Sequence, residues 1–276
     1  RAQTCRVQRP VPVLMSGLLT ARSLAEQLEA LGLGEGQTVM VHASLSKVKD
    51  WICGDVQAIV EAFDRVLGPS GTLAMPAHSS ANSEPSDWQH PPVPEEWWPI
   101  IREQTPAYHP DMTCTREMGI LAETFRRYPG TRRSAHPQMS LAARGKHSAY
   151  LTSDHLLTDS LGETSPYAKL LELDAQVMLI GVHHSNNTTL HLAEYRANWP
   201  SKHKLTSGAA MLVSGERRWV TYEDLDKESR DFVEIGTDYE ASIGYIPGRI
   251  GQAETRCMRL RPLVDFAVAW MNKNRR

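Results

Sequence analysis

The sequence has no apolar stretch that approaches the ~20 residues needed to cross a bilayer, which argues against a membrane-spanning protein. It also lacks an excess of basic charge, because 30 Lys and Arg residues are offset by 32 Asp and Glu residues. Nucleic acids and anionic membranes attract basic patches, so neither is an expected partner. Cysteine is scarce, and no pair among Cys5, Cys53, Cys114 and Cys257 has metal or redox spacing. We therefore expect a cytoplasmic protein without a disulfide framework.

The length and the periodicity of the chain indicate an α/β fold. With 276 residues and 41% hydrophobic content, the chain is long enough for one large domain with a buried core. Residues 38–42 and 72–76 predict buried strands, and residues 55–67 between them predict an amphipathic helix. Residues 209–222 predict a hairpin that turns at 214–216. We predict a mixed, largely parallel central sheet flanked by helices, with the hairpin as an antiparallel edge.

Residues 1–19 and residues 20–276 are expected to behave differently. The first segment has basic residues but no sustained apolar run, so we interpret it as a poorly ordered leader and not as a signal peptide. Residues 20–276 are predicted to form one domain with a Pro- and Trp-rich insert at 76–110. Long irregular inserts are usually functional or disordered, and tryptophans favour order because of their apolar surface. The remaining predicted elements are helices at 21–31, 117–128, 165–173 and 262–273 and a strand at 176–182.

Polar side chains follow each of the three predicted strands. The segments are "VHASLSKV" (41–48), "MPAHSS" (75–80) and the polar run at 183–188. In open α/β sheets ligands bind just beyond the carboxyl ends of strands, where backbone N–H groups and hydroxyls hold phosphates or amide-bearing chains. Each segment alone is compatible with an ordinary polar loop. Together with a fourth polar stretch at 133–145, they predict the binding of a large, extended ligand.

Thr188, His191 and Glu194 form the strongest chemical pattern in the sequence. Residues three apart on a helix lie close together, so Glu194 is placed to orient His191 and to stabilise its protonated form. A histidine held in this way is suited to accept a proton near neutral pH. Thr188 is placed to cap the helix, to donate to a developing oxyanion, or both. A His–Glu pair on a solvated helix face behind a plain cap fits the same pattern.

Negative charge is concentrated in two segments. No Lys or Arg occurs from Val66 to Ile101, a segment that contains Glu84, Asp87, Glu95 and Glu96. Residues 222–240 contain eight acids against two basic residues. If the two segments converge, they attract a polycationic substrate. The second segment alone is equally well explained as a solvated helix face.

Several motifs, taken in order, resemble those of the aminoglycoside N3-acetyltransferases from about residue 20 to residue 245. This family has the antibiotic N-acetyltransferase fold, which is α/β and distinct from the GCN5-related fold. The resemblance implies transfer of an acetyl group from acetyl-coenzyme A to the 3-amino group of a 2-deoxystreptamine ring, an antibiotic-resistance activity. The motifs are "VHASLSKV", "GPSGTLAMPAHS", "MGILAETFRRYPGTRRSAHPQMSLAARG", "DHLLTDSLGETSPYAKLLELDAQVMLIGV" and "NNTTLHLAEYRA".

The resemblance also implies roles for individual residues. It implies direct transfer with His191 as general base, supported by Glu194 and Thr188. It implies contacts to acetyl-coenzyme A from His42, Ala43, Ser44, Leu45, Ser46, Met75, Pro76, Ala77, Ser134 and His136. For the aminoglycoside we predict contacts from Asp87, Glu95, Glu123, Asp154, Glu223 and Asn187. No metal is expected, and the chain is expected to be a monomer or a homodimer.

One position departs from the family pattern, and two rival functions remain open. Many relatives have an acidic residue where this chain has Ser185, which bears on how the acceptor amine is held near His191. The first rival is a metal-dependent hydrolase, because zinc sites in hydrolases use His and carboxylate ligands. Its ligands are drawn from His183, His184, His191 and Glu194. The second rival is a non-catalytic aminosugar-binding protein that stacks sugars on Trp88, Trp97 and Trp98.

Overall fold

The computed structural model describes residues 17–89 and 91–276. The strands are β1 (Leu18–Leu19), β2 (Thr38–Ala43), β3 (Trp51–Ile52), β4 (Thr72–Pro76), β5 (Arg132–Arg133), β6 (Leu141–Gly145), β7 (Gln176–Ile180), β8 (Lys204–Val213), β9 (Glu216–Leu225), β10 (Gly248–Ile250) and β11 (Ala253–Arg259). The helices are α1 (Ala21–Ala30), α2 (Asp55–Leu67), α3 (Trp98–Gln104), α4 (Gly119–Phe125), α5 (Ser148–Thr152), α6 (Pro166–Glu172), α7 (His191–Arg196), α8 (Phe232–Ile243) and α9 (Leu260–Asn274).

The central sheet has seven strands in the order β10-β11-β7-β2-β4-β6-β5. The mixed α/β class is confirmed, but the sheet is less parallel than the sequence predicts. Only β7, β2 and β4 are mutually parallel, and the four outer pairings are antiparallel. The strand–helix–strand pattern therefore identifies the parallel centre correctly. Of the outer strands, β5 and β10 are only two and three residues long, too short to give a clear pattern.

The predicted hairpin forms, but it is not an edge of the central sheet. β8 and β9 pair only with each other in a separate two-stranded sheet, with a two-residue turn at Ser214 and Gly215. Both turn residues have positive φ, as hairpin turns of this length require. The backbone of β8 instead forms a hydrogen bond to another segment, in which the Ala210 carbonyl accepts from Tyr108 N at 2.8 Å. Our prediction of an antiparallel hairpin edge is corrected in this respect.

The helices pack on both faces of the central sheet. Val39 and Val41 of β2 face one apolar cluster with α1, α2 and α4, whereas Met40 faces a second cluster with α6, α7, α8 and α9. This division follows from the alternation of side chains along a strand. Thr20 caps α1 and Ser165 caps α6, as their sequence positions predict. None of the helices within 17–89 and 91–276 combines the length and apolar character that crossing a bilayer demands.

Part of the predicted leader forms a strand, and the described part of the predicted insert is ordered. Residues 1–16 lie outside the described residues, but Leu18 and Leu19, which we placed in the leader, form β1 and pair in parallel with β3. The insert contains short helical turns and α3, and Glu84 binds Arg102 at 2.6 Å across it. Order in the described part of the insert agrees with the expectation from its tryptophans.

Candidate active site

A groove of about 650 Å³ lies beyond the carboxyl ends of β2, β4 and β7. Because these strands are parallel and adjacent, their polar exits meet at one edge of the sheet. We call this cavity the strand-end groove. Seven of the ten predicted cofactor residues line it: His42, Ala43, Ser44, Leu45, Ser46, Met75 and Pro76. The other lining residues are Val41, Lys47, Glu117–Ala122, Gly181–His183, Asn186 and Thr188.

The wall of the groove offers polar atoms set among apolar side chains. The hydroxyls of Ser44 and Ser46 lie 3.1 Å apart. Burial lowers the pKa of His42 to about 3, so its imidazole is neutral at pH 7. Within the described residues, the buried Nε2 of His42 has no hydrogen-bond partner. Gly181 allows the loop after β7 to approach, because a Cβ there would lie 2.6 Å from Cβ of Lys47.

Three of the predicted cofactor residues do not reach the groove. Ala77 is buried, and its carbonyl accepts from Arg133 Nη2 at 2.6 Å. Ser134 is buried with its hydroxyl 2.9 Å from Nδ1 of His155, and His136 is buried with its ring stacked near the same histidine. The segment carrying Ser134 and His136 braces the core, and none of the three residues lines the groove, so their contact with the cofactor stays a prediction.

A second cavity of about 380 Å³ adjoins the groove at Thr188, which lines both cavities. We call this second cavity the acidic pocket. His191 lies in its wall. Its remaining lining residues come from six separate parts of the chain: His78, Asp87, Gln138, Met139, Leu161, Leu205–Ser207, Asp224–Lys227 and Ser229. A group bound in the acidic pocket therefore meets a group bound in the groove beside Thr188 and His191.

His191 and Glu194 form the predicted pair, and the pair is not on a solvated helix face. Nδ1 of His191 lies 2.5 Å from Oε2 of Glu194, whose side chain has no solvent exposure. A carboxylate accepts, so Nδ1 carries the proton and Nε2 holds the free lone pair. The other carboxylate oxygen accepts from Glu228 N at 2.8 Å and from Arg275 Nη1 at 2.7 Å. The Phe232 ring packs against the imidazole at 4.7 Å, which further restricts its orientation.

Thr188 does not cap α7, because a short 3₁₀ turn at Thr188–Leu190 precedes that helix. Burial raises the pKa of the Tyr167 phenol, and the Thr188 hydroxyl partly opposes that rise. The Tyr167 hydroxyl lies 3.3 Å from Nε2 of His78. Burial and then the nearby imidazoles of His191 and His42 lower the pKa of His78 to about 3. Tyr167 and His78 are thus both neutral at pH 7.

The two acidic segments do converge on the acidic pocket. Asp87 comes from the first segment, and Asp224 and Asp226 come from the second. The Asp224 side chain is buried, and Tyr195 Oη donates to it at 2.6 Å. Burial alone would raise the pKa of Asp224, but Lys227 and the hydroxyl donors around it hold the pKa below its ordinary value. Asp224 is therefore ionised at neutral pH.

Of the residues predicted to contact the aminoglycoside, Asp87 lines the acidic pocket, but most of the others do not. Glu95 and Asp154 line neither cavity. Glu123 is bound by Arg126 at 2.6 Å and by the hydroxyl of Thr115 at 2.7 Å, so it braces α4. These three assignments rested on charge alone, and charge does not say which side of an element faces a cavity.

Glu223 and Asn187, which we predicted to contact the acceptor, are sequence neighbours of residues that line the acidic pocket, but they do not line it themselves. Side chains alternate along a strand, so on β9 the exposed Glu223 faces away while its neighbour Asp224 faces the pocket. Asn187 is buried and accepts from the Thr189 hydroxyl at 2.5 Å. Strand alternation in 216–225 was the available signal for Asp224. For Arg275, 81 residues from Glu194 along the chain, no local signal existed.

The residues of the rival functions do not assemble. His184 binds Glu240 at 2.8 Å and packs against Gly236, away from the His191–Glu194 pair. Among the described residues, no three His, Cys, Asp or Glu side chains gather in a metal-binding arrangement. Trp88, Trp97 and Trp98 line neither cavity, so no stacking platform faces the acidic pocket. Ser185 is exposed and also lies outside both cavities.

The profile of a family described as aminoglycoside 3-N-acetyltransferase matches residues 40–272. The YokD protein of Bacillus subtilis (strain 168), an aminoglycoside N(3')-acetyltransferase-like protein, is 42% identical over 92% of this chain and 93% of its own. The crystal structure of YokD superposes with a TM-score of 0.88, at 41% identity over 93% of this chain and 100% of its own.

Two similar structures hold ligands. The binary complex of AAC-IIIb with CoASH has a TM-score of 0.83 and 32% identity, and the match covers 93% of this chain and 97% of the other. AAC-VIa bound to sisomicin has a TM-score of 0.81 and 29% identity, with coverage of 91% and 97%.

Proposed function

This chain belongs to the aminoglycoside 3-N-acetyltransferase family, and from that premise we propose that it transfers the acetyl group of acetyl-coenzyme A to the 3-amino group of an aminoglycoside. One observation carries the proposal. The strand-end groove and the acidic pocket share Thr188, and the His191–Glu194 pair lies at that junction. Two cavities of opposite chemical character, joined at a general base, suit a two-substrate group transfer.

The strand-end groove fits coenzyme A. Its polar atoms, including the hydroxyls of Ser44 and Ser46 and the orphaned Nε2 of His42, match the amides of a pantetheine arm. Leu45 and Met75 supply apolar contact for the methylene groups, and Lys47 supplies positive charge for a phosphate. When bound, acetyl-coenzyme A supplies the acetyl group as a thioester. The similar structure of AAC-IIIb is a binary complex with CoASH, which supports coenzyme A as the ligand.

The acidic pocket fits a polycationic acceptor. Asp87 and Asp226 present carboxylates to it, and carboxylates attract the ammonium groups of an aminoglycoside. The amino groups of such a compound are mostly protonated at pH 7, and an ammonium has no lone pair with which to attack a carbonyl carbon. The acceptor therefore needs a base beside it, and His191 is the residue at that place. The similar structure of AAC-VIa is bound to sisomicin, which supports an aminoglycoside as the acceptor.

His191 performs the proton transfer in this proposal. The acceptor ammonium first loses one proton to solvent, which leaves a neutral amine with a lone pair. As this amine attacks and the C–N bond forms, Nε2 of His191 accepts the second proton, and that proton passes to the thiolate that departs when the C–S bond breaks. Glu194 stabilises the imidazolium that exists between these events, because it is buried and held by Arg275. Thr188 lines both cavities, so we assign its hydroxyl the role of donating to the thioester oxygen as negative charge develops there.

A thiol-release assay tests the proposed function. Purified protein with acetyl-coenzyme A is expected to release thiol with a panel of aminoglycosides that carry a free 3-amino group. A matched acceptor already acetylated at that amino group is expected to give background rates only. Absence of thiol release with every acceptor would contradict the proposed activity, and equal rates with the blocked acceptor would contradict the assignment of the 3-amino group.

A further inference from the structure

Lys227 is the one Lys or Arg among the described residues that line the acidic pocket. Its side chain is 17% exposed, and its Nζ donates to Asp224 Oδ2 at 2.7 Å and to Leu225 O at 3.0 Å. A cation is unexpected in a cavity that receives a polycation, since like charges repel. The pocket therefore contains an ammonium group of its own, already paired with one of its three carboxylates.

Asp224 has neutral hydrogen-bond donors in addition to Lys227. Tyr195 donates to its Oδ1 at 2.6 Å, and the Ser160 hydroxyl donates to its Oδ2. These neutral donors stabilise the carboxylate without cancelling its charge. If Lys227 were absent, Asp224 would offer an uncompensated negative charge at the wall of the pocket. An ammonium group of a ligand is the natural replacement for the lost partner.

The other two carboxylates are less committed. Asp226 lies 3.6 Å from the exposed ring of His203, and Asp87 has only a 3.5 Å contact with the Ser86 hydroxyl. Burial and the charge of Glu84 raise the pKa of Asp87. Asp224 alone among the three is occupied by a strong cationic partner. The pocket thus has one side, at Asp87 and Asp226, that is open to ligand ammonium groups. Its other side, at Asp224, is already occupied by Lys227.

We propose that Lys227 is a specificity-determining residue that occupies the position on Asp224 where an ammonium of the acceptor would otherwise bind. In this reading, which rests on the proposed function, Lys227 confines recognition of charge to Asp87 and Asp226. Acceptors with an additional ammonium on the Asp224 side are repelled. Removing the Lys227 charge therefore widens the range of accepted polycations, with the largest gain for the most highly charged ones.

The test is a comparison of Lys227→Gln and Lys227→Arg by calorimetric titration with aminoglycosides that differ in the number of amino groups. Lys227→Gln is expected to bind the most highly charged compound about tenfold more tightly, the order expected for one hydrogen bond to a charged group. The gain should shrink as salt is raised, because salt screens charge pairs. Lys227→Arg keeps the charge and is expected to bind like the wild type. Lys227→Met is a second neutral variant, so the result does not depend on the folding of one substitution.

The outcomes separate this inference from the proposed function. Unchanged or weaker binding by both folded neutral variants would overturn the role of Lys227, whether or not acetyl transfer occurs. Tighter binding without thiol release would support the role of Lys227 while contradicting the proposed reaction. Failure of the wild type and all variants to bind any aminoglycoside would overturn both. A larger ligand-induced rise in Tm for Lys227→Gln than for the wild type would provide independent support.

Discussion

The strand-end groove and the acidic pocket are built in different ways. The groove is formed mainly by three short segments that follow adjacent parallel strands, so neighbours in the motif are also neighbours in space. The acidic pocket joins residues as distant as His78 and Ser229, and its walls come partly from the separate β8–β9 hairpin. A cavity that follows from sheet topology can be read from local motifs. A cavity assembled from distant segments cannot.

The two cavities also differ in charge. Lys47 lies at the groove, and Lys49 lies in a small basic cavity that continues from it and also includes Lys47. The acidic pocket presents three aspartates against Lys227. This opposition matches a phosphate-bearing cofactor on one side and a polycationic acceptor on the other. If the two cavities act separately, a substitution in one should leave ligand binding in the other unchanged.

The largest effect is expected at the junction. His191→Ala removes the general base, which typically contributes ~10²–10⁴ in rate, so kcat should fall by about that factor. The affinity for coenzyme A should change little, because His191 lines the acidic pocket and not the groove. His109→Ala, which alters a histidine outside both cavities, is the matched control. Near wild-type turnover in His191→Ala would refute the assigned base.

The second-largest effect is expected from loss of Arg275, the side chain that binds Glu194. Arg275→Met breaks a buried ion pair, a change that costs about 3–5 kcal/mol in the free energy of unfolding, measured by urea denaturation. We expect kcat to fall as well, because His191 loses a fixed partner, while coenzyme A affinity is retained. Arg259→Met removes an exposed pair with Asp174 and should cost no more than about 1 kcal/mol. Equal losses in the two variants would contradict this interpretation of Arg275.

Charge in the acidic pocket is expected to affect KM more than kcat. Asp226→Asn should raise the KM for an aminoglycoside about tenfold, consistent with the loss of one charge-assisted hydrogen bond. Glu223→Gln alters an exposed carboxylate on β9 that does not line the pocket, so its KM should match that of the wild type. Steady-state thiol release at low salt measures both. If Glu223→Gln had the larger effect, the assignment of the pocket wall would be wrong.

The smallest effect is expected at the basic end of the groove. Lys47→Ala should weaken coenzyme A binding by a factor of about two to five, as for an exposed ion pair. The same substitution should have less effect on a coenzyme A analogue without its phosphates, measured by calorimetry. Lys146→Ala, which removes an exposed lysine outside both cavities, is the control. Equal weakening for both ligands would place the phosphates elsewhere.

Much of the site was predictable, and the errors have a common cause. Seven of the ten predicted cofactor residues line the groove because the carboxyl ends of parallel strands necessarily meet. Ser134 and His136 belonged to an equally polar stretch, yet it folds inward, where Ser134 binds His155 and the His136 ring packs against the same histidine. Polarity in a motif indicates that a partner is needed. It does not indicate whether the partner is a ligand or the protein itself.

The sequence by itself determined the α/β class, the parallel centre of the sheet and the His191–Glu194 pair, because these depend on periodicity and on spacings of a few residues. Tertiary structure alone decided that β8 and β9 stand apart from the central sheet, that Asp224 rather than Glu223 faces the acidic pocket, and that Arg275 supports Glu194. The physical reason is that burial and charge pairing act through space. Their partners are selected only when segments far apart in the chain pack together.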